Sequence, residues 1–398
     1  MKYTNYKNKK KWQKKFIDDV LNQNVNTNFT KSLLNDTNKL KEKSNYIPKS
    51  LCKYYCPTSE NILDIQKKCL WLSNPYYFND PFDCKTGYDS IAYEKNIILE
   101  FIKENGLIDK TKIKDGFTEV EKNRILNSKI VDYDYLWTNY ENYDSVIYKI
   151  LNEKNYDFRV KIHSLIRKLK LDIENKMNLL RKSEIRVACF SEFNRLENFK
   201  KNLQMWSHYA DNHKGFCIEY DLTPLKEFTS FTKSESDYYL NKNEYIDEKL
   251  KAAIIAGLFP IIYTSNRVNV PVTKLKKLKI DGNGKLINNI DLNKILLKTF
   301  IIKSTNWSYE KEWRIIIDEE IADHFDNKIP FPYIHRIYLG CKMDRHTADM
   351  IFEIGKELNF ETIQLKMDGK RFLLEEESSY LREWEKEEKK RSNPFKQF

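Results

Sequence analysis

Apolar residues between positions 199 and 210 recur at helical spacing, with Phe199, Leu203, Trp206 and Ala210 on one face and Met205 and Tyr209 beside it. His208 then points nearly opposite that face. Gly215 is expected to make the turn that follows, and Phe216, Ile218 and Tyr220 alternate as a half-buried strand should. A helix-to-strand corner carrying Trp206, His208, Tyr209, Asp211 and His213 is a place where polar side chains are held rigidly and stay accessible.

The rest of the chain reads as short strands separated by helices. Residues 1–50 predict a helical N-terminal extension packed loosely on the body, and ordered structure is expected from Ile47 and Pro48 onward. A strand at 52–55 leads to a helix capped by Ser59 and running through Ile62, Leu63 and Ile65. A second strand at 70–73 enters a loop at 74–83 with two prolines, in which Asn79 and Asp80 satisfy backbone groups while Phe78 and Phe82 anchor the core. Such a rigid, aromatic-flanked polar loop also suits a pocket wall. From 91 to 184 the sequence turns charged, Tyr-rich and helical, which predicts an insertion. Strand pattern returns at 185–191. The apolar run 252–263, interrupted by Pro260, reads as a buried helix running into a strand and is too short to cross a bilayer.

A helix at 292–303 precedes residues 307–318, which read as one strand. Alternation there sets Tyr309, Lys311, Trp313, Ile315 and Ile317 on one side and Glu310, Glu312, Arg314 and Ile316 on the other. A strand at 334–340, a helix at 345–358 and a strand at 362–367 complete the pattern. The fold class expected is α+β: a mixed, mainly antiparallel sheet of short strands with a large helical insertion and helical terminal extensions. The domain plan is an extension at 1–50, a core at 51–375 interrupted at 91–184, and a charged helical tail at 376–398.

Composition narrows the function. The chain has 398 residues, 41% hydrophobic and 32% charged, enough for a sizeable core with much solvated helix. Ten Gly and ten Pro are too few for an all-β sandwich. The net charge of +11 and the basic runs at 7–15, 159–186 and 274–279 open a nucleic-acid reading through a basic surface, but Lys far outnumbers Arg and no recognition motif accompanies the charge. Seven scattered Cys and the absence of an apolar leader point to reduced thiols in a cytoplasmic protein with no membrane partner.

No Gly-rich phosphate loop, nucleophile elbow or kinase signature is present. His208, Asp211 and His213 do not align as metal ligands, so no metal is expected. Cys189 and Cys217 lie inside apolar strands and read as inert thiols. Glu310 and Glu312 remain as a carboxylate pair on one strand face. Either they form a surface charge ladder with Arg314, or one of them fixes a substrate hydroxyl and steadies developing positive charge.

Lys53 and Tyr54, the run LSNPYYFNDPFD from Leu72, Cys189 to Ser191, MWSHYA from Met205 through Gly215 and Phe216, and Trp307 with Glu310, Glu312, Trp313 and Arg314 together resemble the bacterial domain of unknown function 2971. The resemblance covers roughly residues 51–90 and 186–370. The order of these elements, ending in a strand that bears Glu-x-Glu, also resembles the ADP-ribosyltransferase arrangement. That likeness implies an NAD-consuming enzyme, by ADP-ribosyl transfer or NAD glycohydrolysis, with a role in bacterial defence. It implies Glu312 as the ribose carboxylate, Glu310 assisting the acceptor, and Tyr209 stacking on nicotinamide with His208 beside it. It carries Tyr54 to the first-strand position on the nicotinamide side, and the cofactor-binding residues expected are Tyr54, Asn79, Asp80, Trp206 and Arg314. The chain departs from that pattern in having no His or Arg leading its first strand and no Ser-Thr-Ser. A non-enzymatic module that binds nucleic acid or a nucleotide signal is the alternative.

Overall fold

The computed structural model describes residues 37–105, 116–127, 153–193, 202–227, 242–271, 278–284 and 290–377, with Ile150, Lys274 and Ile287. Residues 1–36 and 378–398, hence most of the expected N-terminal extension and nearly all of the charged tail, lie outside the described residues, as does Phe199. The chain divides into two compact units: residues 1–79, 185–265 and 301–398, and residues 80–184 and 266–300.

The first unit is built on one eight-stranded sheet. Its strands are β1 (Ser50–Tyr55), β2 (Ile185–Glu192), β3 (Phe216–Asp221), β4 (Leu258–Pro260), β5 (Glu312–Asp318), β6 (Ile334–Leu339), β7 (Glu361–Met367) and β8 (Leu374–Glu376), in the spatial order β8-β7-β6-β3-β1-β2-β5-β4. Only β6 and β7 pair in parallel, across the helix Arg345–Leu358; every other pairing in this sheet is antiparallel, giving the mainly antiparallel α+β class. Pro260 sits on the edge strand β4, where its missing N–H leaves no ladder bond unmade.

β3 departs from the expected half-buried alternation. All five residues from Phe216 to Tyr220 are buried, because β3 is central and both faces are covered. On one face Tyr55, Phe190, Phe216, Tyr220 and Phe331 pack ring on ring, and the Tyr55 and Tyr220 hydroxyls meet at 2.8 Å. On the other, Cys52, Tyr54, Met205, Trp206, Cys217 and Tyr338 form a second cluster.

Several local expectations change. The helix Ser59–Gln66 is capped by Thr58, whose hydroxyl accepts from the Asn61 N–H, and not by Ser59. The described end of the N-terminal segment, the helix Thr37–Ser44, is firmly packed: Leu40, Lys43 and Ser44 are buried, and the Lys43 ammonium donates to the Ala256 carbonyl at the end of the helix Lys242–Gly257. Gly215 does not supply a left-handed turn. Asp211, Asn212 and His213 take positive φ instead, while a Cβ on Gly215 would stand 2.0 Å from the Tyr55 carbonyl oxygen, so this glycine is required by close approach.

In the second unit, described residues within 91–184 form the helices Ser90–Glu104, Glu119–Asn127 and Tyr156–Ser183 and contribute no strand to the large sheet. Their core draws on Ile98, Ile102, Phe117, Ile125 and Leu180, joined by Val270 and Leu278 from the later stretch. Phe82 does not anchor a core here. It is 62% exposed, under the Arg267 guanidinium.

Candidate functional site

Residues 307–318 are not one strand. The segment Thr305–Glu310 is a 3-10 helix capped by Ser304, Lys311 takes a left-handed conformation at φ 46°, and β5 begins only at Glu312. The expected two-faced ladder through Tyr309 and Lys311 is therefore replaced by a turn. A lysine at positive φ carries steric cost, held in place by what the turn brings together.

What it brings together is a buried group of four charges. Lys303 Nζ lies 2.6 Å from Glu310 Oε2 and 3.0 Å from Glu312 Oε2. Arg314 Nε lies 2.6 Å from Glu312 Oε1, and its Nη2 also donates to Glu312 Oε2 at 3.1 Å. Tyr209 closes the cluster from above, its hydroxyl donating to Glu310 Oε1 at 2.6 Å. The Glu312 backbone N–H donates to the Tyr263 hydroxyl at 2.8 Å. All four charged residues are buried. Two cations and two carboxylates at these distances compensate one another, which is the condition for keeping charge out of water.

The two carboxylates nevertheless differ. Burial alone would raise Glu312, but Arg314 and then Lys303 overcome it and hold the carboxyl down at about 2. Burial, then the charge of Glu312, pushes Glu310 up to about 7 against the pull of Lys303 and the hydrogen bonds from Lys303 and Tyr209. Burial and the Glu310 carboxylate raise Tyr209, so its phenol stays protonated and donates. Near neutral pH the arrangement therefore holds one permanently charged carboxylate and one poised to exchange a proton.

Strand register explains the floor of the site. Arg336, Glu219, Cys52, Ser191 and Glu312 are paired in a row across β6, β3, β1, β2 and β5. Beside Glu310 the row opens into a small pocket lined by Cys52, Tyr54, Ser191, Asn202 and Tyr309 among others. Asn202 donates its side-chain N–H to the Tyr309 carbonyl at 2.8 Å, tying the helix Leu203–Tyr209 to the 3-10 turn. Outside lies an aromatic rim: the rings of His208, Trp307 and Tyr309 sit 6.1–6.4 Å apart, and the Lys303 ammonium stands 5.1 Å from the Trp307 ring. His208 is exposed, and Tyr209, Trp307 and Tyr309 are half-buried.

The residues singled out from sequence thus separate. Glu310, Tyr209 and His208 converge on the rim and pocket. Neither carboxylate is open or part of a surface ladder: Glu310 is 3% exposed with its oxygens held by Tyr209 and Lys303, and Glu312 is 4% exposed with both oxygens held by Arg314 and Lys303. Trp206 and Arg314 are fully buried, so neither is a ligand contact: Trp206 packs edge-on against Tyr54 at 5.2 Å and stacks on His213, and Arg314 lies over Phe78. Tyr54 lines the pocket but is itself 8% exposed. Asn79 is exposed at the end of the first unit, and Asp80 falls in the second, where its carboxylate accepts from the Phe82 N–H at 2.9 Å. Cys189 and Cys217 are thiols that burial raises.

Lys303, Ser191 and Asn202 were missed. Strand register sets Ser191 opposite Glu312, Lys303 lies in a short strand Ile302–Ser304 paired with Ile262–Thr264, and Asn202 is the N-cap of the helix Leu203–Tyr209; none of this is visible in hydrophobic spacing. Among the described residues no cluster of three His, Cys, Asp or Glu could hold a metal ion, and no helix is long and apolar enough to cross a membrane.

Fold and site define an α+β protein with a buried carboxylate and cation cluster under an aromatic rim. Residues 205–315, which hold Tyr209, Lys303, Glu310 and Glu312, match the model of the family described as protein of unknown function (DUF2971). No curated protein and no solved structure gives a significant match.

Proposed function

We propose that the chain is an NAD-consuming enzyme, catalysing ADP-ribosyl transfer or NAD glycohydrolysis, in which Glu310 is the working carboxylate. The observation that carries this reading is the Glu310 carboxylate, bonded to the Tyr209 hydroxyl and the Lys303 ammonium, raised to about 7, and lining one small pocket with Tyr309 of the aromatic group. Cleavage of the nicotinamide bond passes through a ribosyl cation-like state, and a carboxylate near that centre strengthens its interaction as positive charge develops. Rings such as His208, Trp307 and Tyr309 suit the flat faces of nicotinamide or adenine. Glu312 acts from beneath: its fixed negative charge keeps Glu310 high enough to exchange protons near neutral pH.

The test is incubation of the purified protein with NAD and measurement of nicotinamide release, repeated with Glu310→Gln. A defence or toxin setting and a cytoplasmic location belong to the same proposal. The second reading, a non-enzymatic module that binds a nucleotide signal or nucleic acid, is favoured by carboxylates already engaged by Lys303 and Arg314 beside the exposed His208. Tight binding of nucleotides without any turnover would select it.

A further inference from the structure

The second unit holds a buried cation that the fold leaves unpaired. Arg181 lies in the last turn of the helix Tyr156–Ser183 and is 7% exposed. Its Nε and Nη2 are buried and have no hydrogen-bond partner, and its guanidinium makes no ion pair, among the described residues. Those two nitrogens form one edge of the guanidinium, the fork that grips two oxygens of an oxyanion side by side. A buried donor without an acceptor costs free energy, the more so when it is charged. The helix C-terminus favours a cation at this position, but none of its carbonyls accepts from the fork. One turn earlier on the same helix face stands Met177, and the Thr86 hydroxyl, also 7% exposed, donates only to the Met177 sulfur, at 3.5 Å. A thioether is a weak acceptor, so this second donor is poorly satisfied too. The carboxylates of the segment before Thr86 are engaged in their own turn: Asp80 accepts from the Phe82 N–H and Asp83 from the Cys84 thiol. Positive charge dominates the surroundings, since Arg267 donates to the Lys85 and Thr86 carbonyls and the helix carries eight Lys and Arg against three Asp and Glu.

We propose that Arg181 and Thr86 form a binding site for a phosphate group, free or carried on a small molecule. Both side chains are offered as donors, so the ligand is a multiple acceptor. The fork takes two oxygens and the Thr86 hydroxyl, rotated off Met177, takes a third. A tetrahedral oxyanion supplies three oxygens in that arrangement, and a carboxylate has only two. Bound there, the anion neutralises Arg181 and ties the last turn of the helix to the segment at Thr86. The site belongs to the second unit alone and does not rest on the function proposed above.

The experiment melts the full-length protein in phosphate-free buffer at fixed ionic strength with added inorganic phosphate, glycerol 3-phosphate or acetate, and follows hydrogen exchange at residues 83–88 and 174–184. Expected are a saturable rise in Tm with phosphate, slower exchange at both stretches, and no rise with acetate. An equal or larger rise with glycerol 3-phosphate assigns a phosphate ester as the ligand, and a rise with inorganic phosphate alone assigns the free ion. Arg181→Met should abolish the phosphate response and, without phosphate, melt at or above the wild type, because it removes a buried charge that has no partner. Arg181→Lys keeps the charge without the fork and should lose most of the response. Thr86→Val should raise the half-saturating phosphate concentration by about tenfold. A wild type indifferent to phosphate overturns the site, as does an acetate response equal to that of phosphate or a full phosphate response in either Arg181 variant. An Arg181→Met protein that melts far below the wild type without phosphate overturns it as well, since Arg181 then has a partner within the fold.

Discussion

At the residue scale the two carboxylates of the Glu-x-Glu motif separate by environment. Glu310→Gln keeps shape and removes the proton-exchanging group; nicotinamide release is expected to fall by roughly a hundredfold or more, near 3 kcal/mol of transition-state stabilisation. Glu312→Gln is expected to act on stability, because it leaves Arg314 buried beside a neutral partner, and breaking a buried pair costs about 3–5 kcal/mol. Thermal melting of the two proteins distinguishes these outcomes. The pH dependence follows from the same pair. Glu310 is raised in the fold to about 7, so under the proposed function, in which it works deprotonated, turnover is expected to rise as pH increases through about 7. Its contribution to stability has the opposite course, present below the usual carboxyl range and lost as pH rises through about 7. Glu312 is lowered, so its contribution is present above the usual range and lost as pH falls towards about 2. Denaturation curves across pH, with Glu310→Gln flattening the loss on the neutral side, check this assignment.

At the element scale, strands and helices with regular spacing were legible from the residues. The helix at 345–358 and the strand at 334–339 lie where the apolar pattern puts them, since Ile351, Phe352, Ile354 and Gly355 keep helical spacing on a buried face. The turn at Lys311 was not legible, because nothing in a lysine announces a left-handed residue; period-two alternation carried the strand reading straight through it. Gly215 was legible as a special position for the wrong reason, since the obstacle is the carbonyl of Tyr55 on the neighbouring strand, a contact between residues far apart in sequence. Gly215→Ala is therefore expected to destabilise the fold severely, as a backbone oxygen at 2.0 Å cannot yield as a flexible side chain could. Chemical denaturation of that variant, beside an alanine at the exposed and uncrowded Gly282, measures the difference.

At the scale of the whole molecule, the change in composition after residue 90 was legible, but the extent of the second unit was not. It begins at residue 80 and includes 266–300, because Val270 and Leu278 share a core with Ile98 and Leu180 across a long sequence separation. Ile98→Ala should cost about 2–5 kcal/mol within that core. Hydrogen exchange is expected to show lost protection in 80–184 and 266–300, with the strands of the large sheet protected as before. The central claim concerns the first unit, where a poised carboxylate lies under an aromatic rim. Its most direct test is nicotinamide release from NAD by the wild-type chain and by Glu310→Gln at pH 8, above the Glu310 midpoint of about 7. Release by the wild type that falls by about a hundredfold in the variant is the result expected; equal release by both proteins, or none by the wild type, would contradict the assignment of Glu310 as the catalytic carboxylate.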